Sequence, residues 1–169
     1  MVRRKIFYGR RIRIKGETIL ASLQKAGWTD DMLKEATKID DTGKLVNAVI
    51  EPKIPATKKL VDVKFTVQGK EYWIEHSTFK DPKTGELLKL TDKKQILNKL
   101  GQEAKHFSAA TSSDNIVVIE LNKGTSLSKA EIEEEVLAIY NTPDTFLKDI
   151  QKIIFYNVEK VEVIPIPKP

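Results

Sequence analysis

The stretch VDVKFTVQGKEYWIEHS, residues 61–77, decides the fold. Val61, Val63, Phe65 and Val67 recur at every second position with Asp62, Lys64 and Thr66 between them, which is the period of a half-buried strand. After the two-residue connection Gln68-Gly69 the alternation resumes, with Tyr72, Ile74 and His76 on one side and Glu71, Trp73, Glu75 and Ser77 on the other. The pattern predicts a β-hairpin. Its register follows from the turn: Val67 faces Lys70, Phe65 faces Tyr72, Val63 faces Ile74 and Val61 faces His76. The apolar residues then share one face, whereas a slip of one residue would set Val63 and Phe65 beside Glu75 and Trp73. The same register puts Asp62 across from Glu75 and Lys64 across from Trp73.

Downstream, residues 81–85 (DPKTG) have Pro and Gly where a type I turn followed by a left-handed residue needs them, and predict a third antiparallel strand over Glu86–Leu90. Thr91 and Asp92 are cap candidates for a helix with Ile96, Leu97, Leu100, Ala104 and Phe107 at helical spacing and Lys93, Lys94, Lys99 and Lys105 on its flank. Residues 115–121 read as a strand buried on both faces, the kind that helices cover. Ser128 with Glu131 forms a capping box for a helix to Tyr140, and Pro143 with Asp144 opens another through Ile150. Val161–Ile164 is the last strand before Pro165, Pro167 and Pro169. Upstream, Ile19–Gly27 and a segment capped by Thr29 read as short helices, punctuated by Gly16 and residues 40–43, with Pro52 and Pro55 marking a connector. The predicted architecture is an α/β or α+β domain over residues 57–169. Its three-stranded antiparallel meander extends to a mixed sheet flanked by helices, and a basic arm and helical extension over residues 1–56 precede it.

At 169 residues, 40% hydrophobic and 31% charged, the chain suffices for one core. The absence of cysteine excludes a disulfide framework, a thiolate zinc site and a cysteine nucleophile, and His76 and His106 alone cannot make a histidine-rich metal site. No apolar run approaches the length of a bilayer span and none follows the basic N-terminus, so neither a membrane-spanning helix nor a signal peptide is expected. The net charge of +5 is local: Arg3, Arg4, Lys5, Arg10, Arg11, Arg13 and Lys15 carry no acid among them, and 22 basic residues against 24 acidic ones remain. With Ile6, Phe7 and Tyr8 interleaved, this arm can neutralise phosphates and stack on bases. The alternatives are a solubilising tail or an edge strand over residues 11–15.

Two carboxylates facing each other on a sheet, with Cβ atoms roughly 5 Å apart, destabilise it unless something joins them. A divalent cation does so: Mg²⁺ takes one or two carboxylates plus substrate phosphates. At Asp62 and Glu75 such an ion would activate water and stabilise phosphate charge, with Lys64 and Ser77 beside it. The alternative is a solvated outer face on which Lys64 offsets both acids. His76 reads as a core-edge histidine or a catalyst, and His106 as a helix C-terminal cap or a general base. Trp28 and Trp73 read as packed aromatics or as platforms for bases.

The order Asp62, Gln68-Gly69-Lys70, Trp73-Ile74-Glu75, a helix carrying Gln95 and the strand Ile116–Leu121 resembles PD-(D/E)xK nuclease domains. It looks most like the toxic C-terminal domains of bacterial contact-dependent growth inhibition and related polymorphic toxins, over about residues 58–165. In that group an Asp precedes a hairpin, a Glu-x-Lys follows it, a helix leads to an apolar strand, and a further helix and strand complete the sheet. The resemblance implies a restriction-endonuclease-like core, a Mg²⁺ or another divalent cation held by Asp62 and Glu75, and cleavage of tRNA-like RNA. It also implies an immunity protein as partner and action in the bacterial cytoplasm after delivery from a neighbouring cell. Ser77 stands where the group has its lysine, so Lys64, or less conveniently Lys80, would supply the ammonium group. The expected catalytic set is Asp62, Glu75, Lys64 and Ser77, with nucleic acid held by Arg3, Arg4, Lys5, Arg10, Arg11, Arg13, Lys93 and Lys94. Two other readings stay open: a non-catalytic nucleic-acid-binding module using the basic arm, and a metal-independent ribonuclease using a histidine base.

Overall fold

The computed structural model describes residues 10–78, 80, 83–87, 89–107, 114–121, 125–157 and 162–169, with side chains from residue 16 onward. Six strands join in chain order into one mixed sheet: β1 (Ala48–Ile50), β2 (Val63–Val67), β3 (Lys70–Thr78), β4 (Asp114–Leu121), β5 (Lys152–Asn157) and β6 (Glu162–Pro167). The steps β3–β4 and β4–β5 are parallel and the other three antiparallel. Parallel neighbours need crossovers, and helices α3 (Lys93–Phe107) and α4 (Lys129–Tyr140) supply them. Before the sheet come α1 (Arg10–Lys25) and α2 (Asp30–Ala36). The chain is thus an α/β fold with a six-stranded mixed sheet and four helices among the described residues.

Helices cover both faces. Ile96, Leu100 and Phe107 of α3 and Ile132 and Val136 of α4 pack on Val117, Ile119, Ile153 and Phe155. Ile19, Leu20 and Leu23 of α1 and Leu33 of α2 pack on Phe65, Ile74, Val118 and Ile154 from the other side. Successive residues of β4 and β5 therefore enter opposite cores, which is why each strand is apolar without alternation. Trp28 is buried edge-on against Phe65 and Tyr72, with ring centroids 6.0 and 4.9 Å away, so it is a core aromatic.

The hairpin register agrees with the sequence from Val67↔Lys70 to Val63↔Ile74. It breaks one pair later. The Asp62 amide donates to the Ile74 carbonyl at 3.1 Å, and the Val61 amide to Pro52 at 3.1 Å, so Val61 does not pair with His76. Val63 packs in the α1/α2 core and Val61 in the α3/α4 core, so the alternation skips a step at Asp62.

Several expected elements differ. Among the described residues of 86–90 there is no third strand: Leu87 makes an isolated bridge to Lys80, and parallel β4 occupies the free edge of β3. The meander is β1–β2–β3 instead, and β1, in the connector after α2, lacked any long apolar run. Residues 143–150 form turns and no helix. Asp144 sits at φ 56°, in the left-handed region, while the Asp149 and Ile150 carbonyls accept from Asn115 Nδ2 and the Tyr140 hydroxyl. Strand β5 follows them, unmarked by alternation. Residues 11–15 are helical, so the edge-strand alternative fails, and α1 runs through Gly16.

Ser128 caps α4 as expected: its hydroxyl accepts from the Glu131 amide at 3.1 Å and its amide donates to Glu131 Oε2 at 2.7 Å. Ser128→Ala is expected to lower stability by about 1 kcal/mol in urea denaturation, with an unchanged slope.

Candidate metal centre

Glu75 and Ser77 lie on the face of β3 that α3 covers, beside Val117 and Ile119 in the parallel register. On α3, Lys99, Glu103 and His106 follow at spacings of four and three, so one stripe of the helix carries all three. Packing α3 on the sheet brings the two sets together. Glu75 and Glu103 are each 7% exposed. The Ser77 hydroxyl donates to Glu103 Oε1 at 2.9 Å, and Lys99 Nζ lies 3.6 Å from the same oxygen while donating to the Thr78 carbonyl at 3.3 Å. His106 Nδ1 lies 3.0 Å from Glu75 Oε2 and 3.3 Å from the Leu60 carbonyl. The Thr57 hydroxyl donates to the His106 carbonyl at 2.9 Å and fixes the end of the helix.

Ligand-capable atoms of Glu75, Glu103 and His106 all lie within 4.8 Å of one another. Two carboxylates removed from water at this separation repel strongly, and such groups persist where they are paired or bind a cation. Lys99 and His106 offset part of that charge. The three groups can hold a metal ion, which would offset the rest.

Of the expected catalytic set, Glu75 and Ser77 are in this cluster. Asp62 is beside it: its Oδ2 accepts from the amide of His76, the residue after Glu75, at 2.6 Å, and it is not one of the three converging groups. Lys64 projects from β2 with Nζ 5.3 Å over the Trp73 ring and 4.0 Å from Glu71. Lys80 is exposed at its bridge to Leu87. His76 enters the opposite face, where its Nε2 lies 3.0 Å from Glu120 Oε2 and its side chain is 1% exposed. Arg3, Arg4 and Lys5 lie outside the described residues, as do the side chains of Arg10, Arg11 and Arg13 at the start of α1. Lys93 and Lys94 are exposed at the first turn of α3, roughly 20 Å along the helix from His106.

Sequence reasoning missed Lys99, which it placed only on the basic flank of the helix, and Glu103. A signal existed for Glu103, since it falls within the apolar stripe of Ile96, Leu100, Ala104 and Phe107, where a carboxylate is buried and requires partners. No helix among the described residues is long and apolar enough to cross a membrane. Comparison with known protein families, with curated proteins and with solved structures finds no match.

Proposed function

We propose that the chain is a divalent-metal-dependent nuclease centred on Glu75, Glu103 and His106. The observation that carries this reading is the convergence of two buried carboxylates and an imidazole within 4.8 Å, with an ammonium group, Lys99, 3.6 Å from one of them. Element order supports it too: a hairpin with Asp62 at its start, a helix, an apolar strand, a further helix and a further strand follow the pattern of the PD-(D/E)xK domains. A bound divalent ion would supply Lewis-acid stabilisation of a phosphate and a nucleophile from water. Mg²⁺ matches the carboxylates, while an imidazole donor suits Mn²⁺ or Zn²⁺ as well. Lys99 takes the part of the lysine absent after Glu75, facing the same charge from α3. Ser77 orients Glu103, and Thr57 with Leu60 orients His106. The resemblance extends the proposal to a toxin module acting on tRNA-like RNA in the bacterial cytoplasm and neutralised by an immunity protein.

Incubation with total tRNA and with plasmid, each with Mg²⁺, with Mn²⁺ and with EDTA, tests the reading. Cleavage of the RNA that EDTA and Glu75→Ala both abolish is expected; no cleavage with any divalent ion overturns it. One observation favours a second reading. His106 Nδ1 faces two acceptors, Glu75 Oε2 and the Leu60 carbonyl, so it carries the proton and leaves Nε2 as the basic nitrogen of the neutral ring. A histidine so oriented can serve as a general base without metal. Cleavage that survives EDTA and disappears in His106→Ala would select that mechanism.

A further inference from the structure

We infer that the substrate strand is unpaired where it is cut, and that Trp73 and Lys64 hold the base flanking the scissile phosphate. The inference rests on the nuclease reading. Trp73 precedes Glu75 by two residues on β3, so both side chains stand on the same face about 7 Å apart along the strand. Helices α3 and α4 pack on β4, β5 and the far end of β3, and the face over β1 and β2 is open: Thr66 is exposed, Lys64 and Trp73 are half-buried, and Val49, paired with Lys64, is 47% exposed. The Trp73 indole packs half-buried against the edge of the α3/α4 core beside the buried polar centre, and so differs from Trp28, which the core encloses.

Lys64 completes the platform. It lies directly across the ladder from Trp73 with its ammonium 5.3 Å over the ring, and its other contact, Glu71, is 4.0 Å away. Both interactions are weak at an exposed site, so a base can take the ring face while the ammonium moves to a phosphate. The charge around the centre agrees. Residues 51–60, which hold His106 through Thr57 and Leu60, present Lys53, Lys58 and Lys59 to solvent between β1 and β2. A half-buried indole under the Lys64 ammonium, with exposed lysines on the connector that leads into β2, suits a single strand, whose bases are free to stack, and not a duplex, whose bases already stack on each other.

A short uncleavable 2′-O-methyl RNA carrying 2-aminopurine, titrated with the full chain in EDTA, tests this. Quenching of the fluorophore is expected on binding, with Trp73→Leu weakening affinity about tenfold or more and Trp73→Phe retaining it. Lys64→Glu, which leaves both cores untouched, is expected to weaken binding as well and to reduce its salt dependence. Single-stranded DNA of the same sequence should bind comparably, since stacking does not read the 2′-hydroxyl, and the matching duplex more weakly. Unchanged affinity in a folded Trp73→Leu and in Lys64→Glu, or equal affinity for the duplex, overturns the platform. Trp73-dependent binding without cleavage of ordinary RNA would keep the platform and remove the nuclease; cleavage at undiminished rate and affinity in Trp73→Leu would do the reverse.

Discussion

Glu75→Gln is expected to abolish both metal binding and strand cleavage, the latter by about a hundredfold to a thousandfold. The protein holds Glu75 and Glu103 close together and away from water, with Lys99 and His106 offsetting only part of their charge. An ion at a hundred times its dissociation constant would add about 2.7 kcal/mol of stability, or roughly 5–10 °C in melting temperature for a chain of this size. Thermal melts with and without Mn²⁺ should show that rise in the wild type and none in Glu75→Gln. Glu103→Gln should also lose it. An equal rise in both variants and the wild type would place the ion elsewhere.

Phe107→Ala is expected to cost about 3–5 kcal/mol, the largest effect of any single stability change proposed for this chain. Phe107 is fully buried in the α3/α4 core at the last turn of α3, immediately after His106. The loss approaches the whole stability of a typical domain, so urea unfolding should begin at or near zero denaturant. Leu97→Ala on the same helix, 41% exposed, serves as the contrast and should stay within about 0.5 kcal/mol of the wild type. A comparable effect at both positions would mean that α3 does not pack on the sheet as described.

The parts legible in the sequence are those whose signal is local. Alternation and a two-residue turn determine the register from Val67 to Val63, a Ser-x-x-Glu box marks α4, and helical spacing marks α3. Strand β5 escaped because a strand inserted between two cores has no period, and β1 because three residues carry too little pattern. At the site the limit was the same. Glu75 and Ser77 follow from alternation, but Glu103, Lys99 and His106 reach them through the packing of α3 on the sheet. Asp62 left the expected pairing because Val61 is drawn into a different core from Val63, which no count of alternating residues anticipates.

Thr57 and Leu60, Glu75 and Ser77, and Lys99 to His106 are three pieces of chain that meet only across the sheet. Neither a nascent chain nor one threaded in extended form through a narrow passage has these groups near each other. The cluster therefore exists only once α3 docks. Its assembly waits on folding, and an agent that keeps residues 57–60 from reaching the end of α3 would loosen it without touching a single carboxylate.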